Sequence, residues 1–185
     1  MNLAQLPARE RILVTAHALF YRDGIRATGI DRVIAEAGVA KLTFYRHFPS
    51  KDELVRAFLD YRHGHWMAWF IDAPGRHGAQ PGRGLAPVAA ALAEWFAQPQ
   101  FRGCAFINAV AEVGGTLPDA VAISQRHKQD MLEVIEQLLP EGPRRQAQAG
   151  AAAMAVDGAI VRAQMGGASA ALAGLAELLG ALQRP

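Results

Sequence analysis

Along the first 70 residues, apolar positions recur at the three- and four-residue spacing of helix faces, interrupted by short turn signals. In RERILVTAHALFYRDG, residues 9–24, Ile12, Ala16, Leu19 and Phe20 form one apolar stripe, and Asp23-Gly24 ends it. Thr28 is placed to cap the next helix with Asp31 three positions on, and Ile30, Val33, Ile34 and Ala37 make that helix's buried face. Ala37-Gly38-Val39 breaks the pattern. Gly38 can adopt the left-handed backbone of a tight turn, and a second short helix is expected from about Ala40 to His47. A fourth starts after Pro49, with Ser50 as N-cap and Glu53 at the third position of a capping box, and Leu54, Phe58 and Tyr61 continue along one face.

Gly and Pro interrupt every helical period in DAPGRHGAQPGRG, residues 72–84, which is read as a loop and the domain boundary. Five further amphipathic or Ala-rich segments follow: LAPVAAALAEWFAQ, GCAFINAVAEV, PDAVAISQRHKQDMLEVIEQLL, PRRQAQAGAAAMAVDGAIVRAQM and ASAALAGLAELLGALQ. Strand signals are nearly absent, so the predicted class is all-α. The last two segments mix Ala and Gly with larger apolar residues over a stripe wider than one small subunit needs, which motivates a homodimer interface.

Composition narrows this picture. The 185 residues are 51% hydrophobic and 19% charged, a globular balance with length enough for a real core. No uninterrupted apolar run is long enough to span a bilayer, and MNLAQLPARER lacks the basic start and apolar core of a secretion signal, so a cytoplasmic protein without a membrane partner is expected. The single Cys104 cannot form an internal disulfide; it reads as a small buried hydrophobe rather than a redox sensor. The formal charge is only +2, with 10 Lys and Arg against 7 Asp and Glu in residues 1–65. That mild excess supports a polyanion partner without announcing one.

The chemistry is concentrated in VAKLTFYRHFPSKDEL, residues 39–54. Two short helices joined by a glycine turn and packed on a longer first helix make a helix-turn-helix. On the second of them Phe44 and Phe48 lie one turn apart and mark the core face. Leu42, Thr43 and Arg46 then fall opposite, with Tyr45 and His47 on the flanks. A helix entering the major groove of double-stranded DNA needs that division: side chains for base edges in the centre, phosphate donors at the sides. Lys51 sits in the first turn of the next helix, where free amides and the helix dipole favour a phosphate.

The run from Thr28 through GIDRVIAEAGVAKLTFYRHFPSKDEL resembles the DNA-binding domain of TetR-family transcriptional regulators, with Ala-Gly-Val at the turn, Thr-apolar-Tyr-x-His-Phe after it and a Lys-x-x-Leu helix start. The likeness extends over about residues 9–60; beyond that the chain matches in helical character. It implies that Thr28 caps the first helix of the motif near a phosphate, that Lys41, Leu42 and Thr43 face the groove, that Tyr45 and His47 meet backbone and neighbouring bases, and that Lys51 meets a phosphate. Leu42 departs from the family pattern, which usually has a small residue or Pro there. Arg32 has no firm counterpart and is an extra candidate contact. The implied organisation is a three-helix DNA-binding domain in 1–50, a connecting helix in 51–71, and a helical dimerisation and effector domain in 72–185. The implied function is a palindrome-binding regulator, read as a repressor released by a small-molecule effector.

For that effector, the candidate lining residues are Trp66, Trp69, Trp95, Phe106, Asn108 and Glu112. Taken singly, each reads first as core. Tyr45, His47 and Phe48 too would each pass as core aromatics; the joint pattern favours DNA. No cofactor or metal is expected: His63 and His65 point to different sides of a helix, and His127, Asp130 and Glu133 read as a wet helix face. Enzyme chemistry is disfavoured, because Ser50, Ser124 and Ser169 lack nucleophile contexts and Cys104 has no nearby His. An effector-independent DNA binder and, behind it, an all-helical enzyme are the alternatives.

Overall fold

The computed structural model describes residues 3–184, which form helices and connecting turns with no strand. A short 3-10 turn, Leu3–Gln5, precedes α1 (Ala8–Asp23), α2 (Ile30–Ala37), α3 (Lys41–His47), α4 (Lys51–Arg76), α5 (Ala86–Phe96), α6 (Ala105–Val113), α7 (Pro118–Leu138), α8 (Arg145–Arg162) and α9 (Ala168–Leu182). The helices follow the apolar periodicity closely. Gly38 has φ +62°, and the amides of Gly38 and Val39 close onto the carbonyls of Ala35 and Ile34, so the turn between α2 and α3 is the left-handed cap its glycine anticipates.

Two starts and stops differ from expectation. Thr28 does not cap α2: the N-cap is Gly29, and the wholly buried Thr28 hydroxyl donates to the Gly24 carbonyl at 2.8 Å. The hydroxyl thus closes the α1–α2 turn two residues before the helix begins. The expected loop also starts late, since α4 continues through Asp72 and Pro74 to Arg76. Pro74 stands in the last turn, where it removes a single helical hydrogen bond, and burial of Ala73 and Pro74 offsets that loss.

The chain divides into two compact units. One comprises residues 1–64 with 105–125, the other 65–104 with 126–185. The division falls inside α4 and α7 and between Cys104 and Ala105, so α6 groups with the N-terminal helices. In the first unit α1, α2 and α3 pack on one another around Ile12, Leu19, Phe20, Val33, Phe44 and Phe58. Phe20 and Phe58 meet edge to face at 5.4 Å between centroids. Arg56 of α4 reaches Asp119 of α7 at 2.6 Å within the same unit.

In the second unit α9 lies against α5 and α8. Ala149, Ala152, Val156 and Ala159 of α8 and Ala171, Leu175 and Leu179 of α9 are buried, small residues allowing close approach. Gly166, φ +94°, breaks the helical path between them at the five-residue π segment Ala163–Gly167. The loop before α5 is pinned from α7 and α9: Gly82 and Gly84 donate to the carbonyls of Gln137 and Leu138, and the Leu85 amide donates to the Gln183 side chain at 2.9 Å. No helix among the described residues is long and apolar enough to cross a membrane.

Candidate nucleic-acid interface

Apolar spacing positions α3. Phe44 is fully buried and Phe48 nearly so, with 6.2 Å between their rings, which fixes the helix by one face on its own unit. Arg9 of α1 adds its guanidinium over the Phe48 ring at 5.2 Å from the centroid. The opposite face is outward. Leu42 is 73% exposed and Tyr45 40%, Lys41 and Arg46 are exposed, and Thr43 and His47 are half-buried. A leucine left that open on a seven-residue helix is not part of its unit's core. The Tyr45 and Phe44 rings meet edge to face at 5.2 Å between centroids.

Around this face the charges are organised. Lys41 Nζ donates to Asp31 Oδ1 of α2 at 3.2 Å, and that hydrogen bond, followed by the Asp31 and Tyr45 charges, raises its pKa above the ordinary lysine value. Arg32 is bridged to Asp23 at 3.0 Å and to Glu36 at 2.9 Å, so an outside phosphate would compete with two carboxylates for it. Asp23 also accepts two hydrogen bonds from Arg22 at 2.8 Å, and these lower its pKa. Lys51 is half-buried at the start of α4; burial pulls its pKa down while the Glu112 and Asp52 charges pull it up. Ser50 Oγ accepts from the Glu53 amide at 3.1 Å, the expected cap. The Glu53 carboxylate accepts from Arg56 at 2.8 Å.

Thr28, Arg32, Lys41, Leu42, Thr43, Tyr45, Arg46, His47 and Lys51 therefore all lie in one unit, eight of them open to solvent at least in part. Thr28 is the exception, sealed inside the α1–α2 turn. A surface with an apolar centre, a phenol, an imidazole and cations at its margins can meet base edges and phosphates together.

The six effector candidates separate. Trp66, Trp69 and Trp95 come together in the second unit, each pair of rings 5.7 Å apart, with Phe70 stacked on Trp66 at 4.6 Å and the buried His127 edge-on at 4.9 Å. Trp69 Nε1 donates to Glu94 at 3.3 Å. Trp66 Nε1 is buried with no hydrogen-bond acceptor among the described residues. Phe106, Asn108 and Glu112 lie on α6 in the other unit: Phe106 is buried, Asn108 half-buried, and the Glu112 carboxylate accepts from the backbone amide of Arg26 at 2.8 Å. No cluster of three or more His, Cys, Asp or Glu suited to a metal occurs among the described residues.

Sequence reasoning missed the polar ties between distant positions. Glu112 with Arg26, Arg56 with Asp119, Lys128 with Asp157, and Glu94 with Arg76 and His77 carry no local signal, because each pairs residues that only the tertiary fold brings together.

The profile of the family described as "Bacterial regulatory proteins, tetR family" matches residues 12–58. The solved structure of a TetR-family transcriptional regulator from Streptomyces coelicolor is 32% identical, covers 100% of this chain and 97% of its own, and superposes with a TM-score of 0.83. Another, a putative TetR regulator of Streptomyces avermitilis, is 27% identical over 97% of this chain and 100% of its own, with a TM-score of 0.75. Among curated relatives, the repressor KstR2 of Mycobacterium tuberculosis is 40% identical over 57 residues and the activator FasR of Mycolicibacterium smegmatis 42% identical over 58. The chain spans between 18% and 29% of the length of the curated relatives it matches.

Proposed function

This chain belongs to the TetR family of transcriptional regulators, and from that premise we propose that it is a cytoplasmic homodimeric repressor whose operator affinity falls when a small molecule binds its second unit. The observation that carries the DNA reading is α3: a helix anchored by Phe44 and Phe48 that leaves Leu42 and Tyr45 outward beside Lys41 and Arg46. In the proposed complex Lys41, Leu42, Thr43 and Arg46 meet the major groove, and Tyr45, His47 and Lys51 hold phosphates. Two heads related by a two-fold axis read half-sites about 34–36 Å apart, which makes the operator palindromic. The repressor reading takes the operator to overlap a promoter, so that the seated dimer excludes polymerase.

Support for the dimer comes from exposed apolar side chains on the last two helices, Met154 at 71% and Leu178 at 54%. Support for the effector comes from the tryptophan cluster, where Trp66 keeps a buried donor with no acceptor among the described residues. A ligand carbonyl or other acceptor would satisfy it. By linkage, effector and operator must weaken each other's binding by the same factor.

The test is selection of a 30-base-pair duplex from a random library with the wild-type chain, followed by titration across salt. A palindromic consensus with a steep salt dependence is expected, and Tyr45→Ala with Lys51→Ala should lower both affinity and slope. Recovery of no enriched sequence, or an affinity and slope unmoved by the double variant, would overturn the reading.

A further inference from the structure

The turn from Gly24 to Gly29 decides where α2 begins, and α2 in turn packs on both α1 and α3. Most of its fastening is local. The Gly24 amide donates to Phe20, the Thr28 hydroxyl returns to the Gly24 carbonyl at 2.8 Å, and Ile25 is buried as an apolar peg. One tie comes from far along the chain: Glu112 Oε2, on α6, accepts the Arg26 amide at 2.8 Å.

The fit is close on the other side as well. A Cβ built on Gly24 would lie 3.2 and 3.3 Å from the two Glu112 carboxylate oxygens, and Gly24 has φ +94°. The positive φ favours glycine at residue 24, and a Cβ there would also press on the carboxylate lying against it. The backbone amide of an exposed turn otherwise bonds to water; a charged acceptor makes a stronger and more directional bond.

We infer that Glu112 is a positioning residue for DNA recognition: it latches the α1–α2 turn, and through that turn sets the pose of α2 and α3. This rests on the reading of α3 as the helix that meets DNA. Electrostatics alone predicts the opposite effect of removing Glu112, because a negative charge facing Lys51 opposes a nearby phosphate. The sign of the change therefore separates the latch from simple charge repulsion.

The experiment compares wild type, Glu112→Ala and Glu112→Gln on the duplex selected with the wild-type chain, alongside amide hydrogen exchange at Arg26. The latch predicts that Glu112→Ala weakens binding about tenfold, the scale of one charge-assisted hydrogen bond, with an unchanged salt slope because no phosphate contact is removed. Exchange at Arg26 should accelerate in parallel. Glu112→Gln keeps an acceptor oxygen and should restore most of both. Equal or tighter binding by Glu112→Ala, a reduced salt slope, or unaltered Arg26 exchange would each overturn the inference. Far-ultraviolet circular dichroism checks that the alanine variant is folded; if it is not, Glu112→Gln decides, since binding as weak as expected for alanine with accelerated Arg26 exchange rejects a role met by any acceptor. If the wild type selects no duplex, the DNA reading fails by itself, and the exchange measurement still decides the latch.

Discussion

Lys41 Nζ lies 3.2 Å from Asp31 Oδ1, so a carboxylate of α2 holds the first cation of α3 at the edge of the surface proposed to meet DNA. Both groups are open to solvent, and an exposed pair of this kind contributes little to stability. Its consequence is for binding. Asp31→Ala frees the ammonium and removes a negative charge from the approach of DNA. Non-specific affinity measured by fluorescence anisotropy should rise several-fold at low salt, with the gap from wild type closing as salt screens the surface. Equal affinity at low salt would show that Lys41 and Asp31 stand outside the contact area.

Leu42 is expected to matter for sequence discrimination and hardly at all for folding. It is 73% exposed, so Leu42→Ala should change unfolding free energy by no more than about 0.5 kcal/mol. If the side chain packs on a thymine methyl, the variant should lose preference at one base position by about 1 kcal/mol while its salt slope stays the same. Repeating the duplex selection with the variant checks this: an identical consensus would remove Leu42 from the reading surface.

Phe44 and Tyr45 are neighbours with opposite fates. Phe44→Ala empties a fully buried site at the centre of the first unit and should cost about 3–5 kcal/mol in denaturant unfolding. Tyr45→Ala, at a residue 40% exposed, should leave the unfolding midpoint nearly in place and weaken DNA binding. A stable Phe44→Ala protein would contradict the anchoring of α3 described above.

The proposed dimer can be broken without touching the core. Met154 of α8 and Leu178 of α9 are open in the single chain, and burying a new carboxylate at either place in an interface is costly. Met154→Asp with Leu178→Asp should shift equilibrium sedimentation at micromolar concentration from dimer to monomer while helical dichroism is retained. An unshifted dimer would mean that the interface lies elsewhere.

The helix-turn-helix was legible because its determinants are local: Gly38 dictates its own turn, and Phe44 and Phe48 reveal a buried face by spacing alone. All five C-terminal helices were legible for the same reason. Thr28 was misplaced by one position, since a hydroxyl before a helix suits either a cap or the closure of the preceding turn, and burial favoured the second. Pro74 misled because helix propensity is set by the residue and helix length by packing. Glu112 was named with the tryptophans as a lining candidate, and it falls in the other unit. Its partner is a backbone amide 86 positions away, which no spacing rule could supply.

Glu94 provides a test by acid. It accepts hydrogen bonds from Arg76 at 2.6 Å and from Trp69 and His77 at 3.3 Å, and the Arg76 bond, followed by the Trp69 bond, pulls its pKa below the ordinary value of 4.5. A carboxylate whose folded pKa is depressed stabilises the fold above its unfolded pKa, and that contribution is lost as pH falls through the folded value. The difference in melting temperature between wild type and Glu94→Gln should be constant near neutrality, begin to shrink below about pH 4.5 and vanish in stronger acid. Because the group is open to solvent, added salt should reduce the neutral-pH difference. Tryptophan emission should report the same loss, since Trp69 is tied to this carboxylate and packs on Trp66 and Trp95. A melting difference that persists unchanged to pH 3 would mean that Glu94 acts through packing and not through its charge.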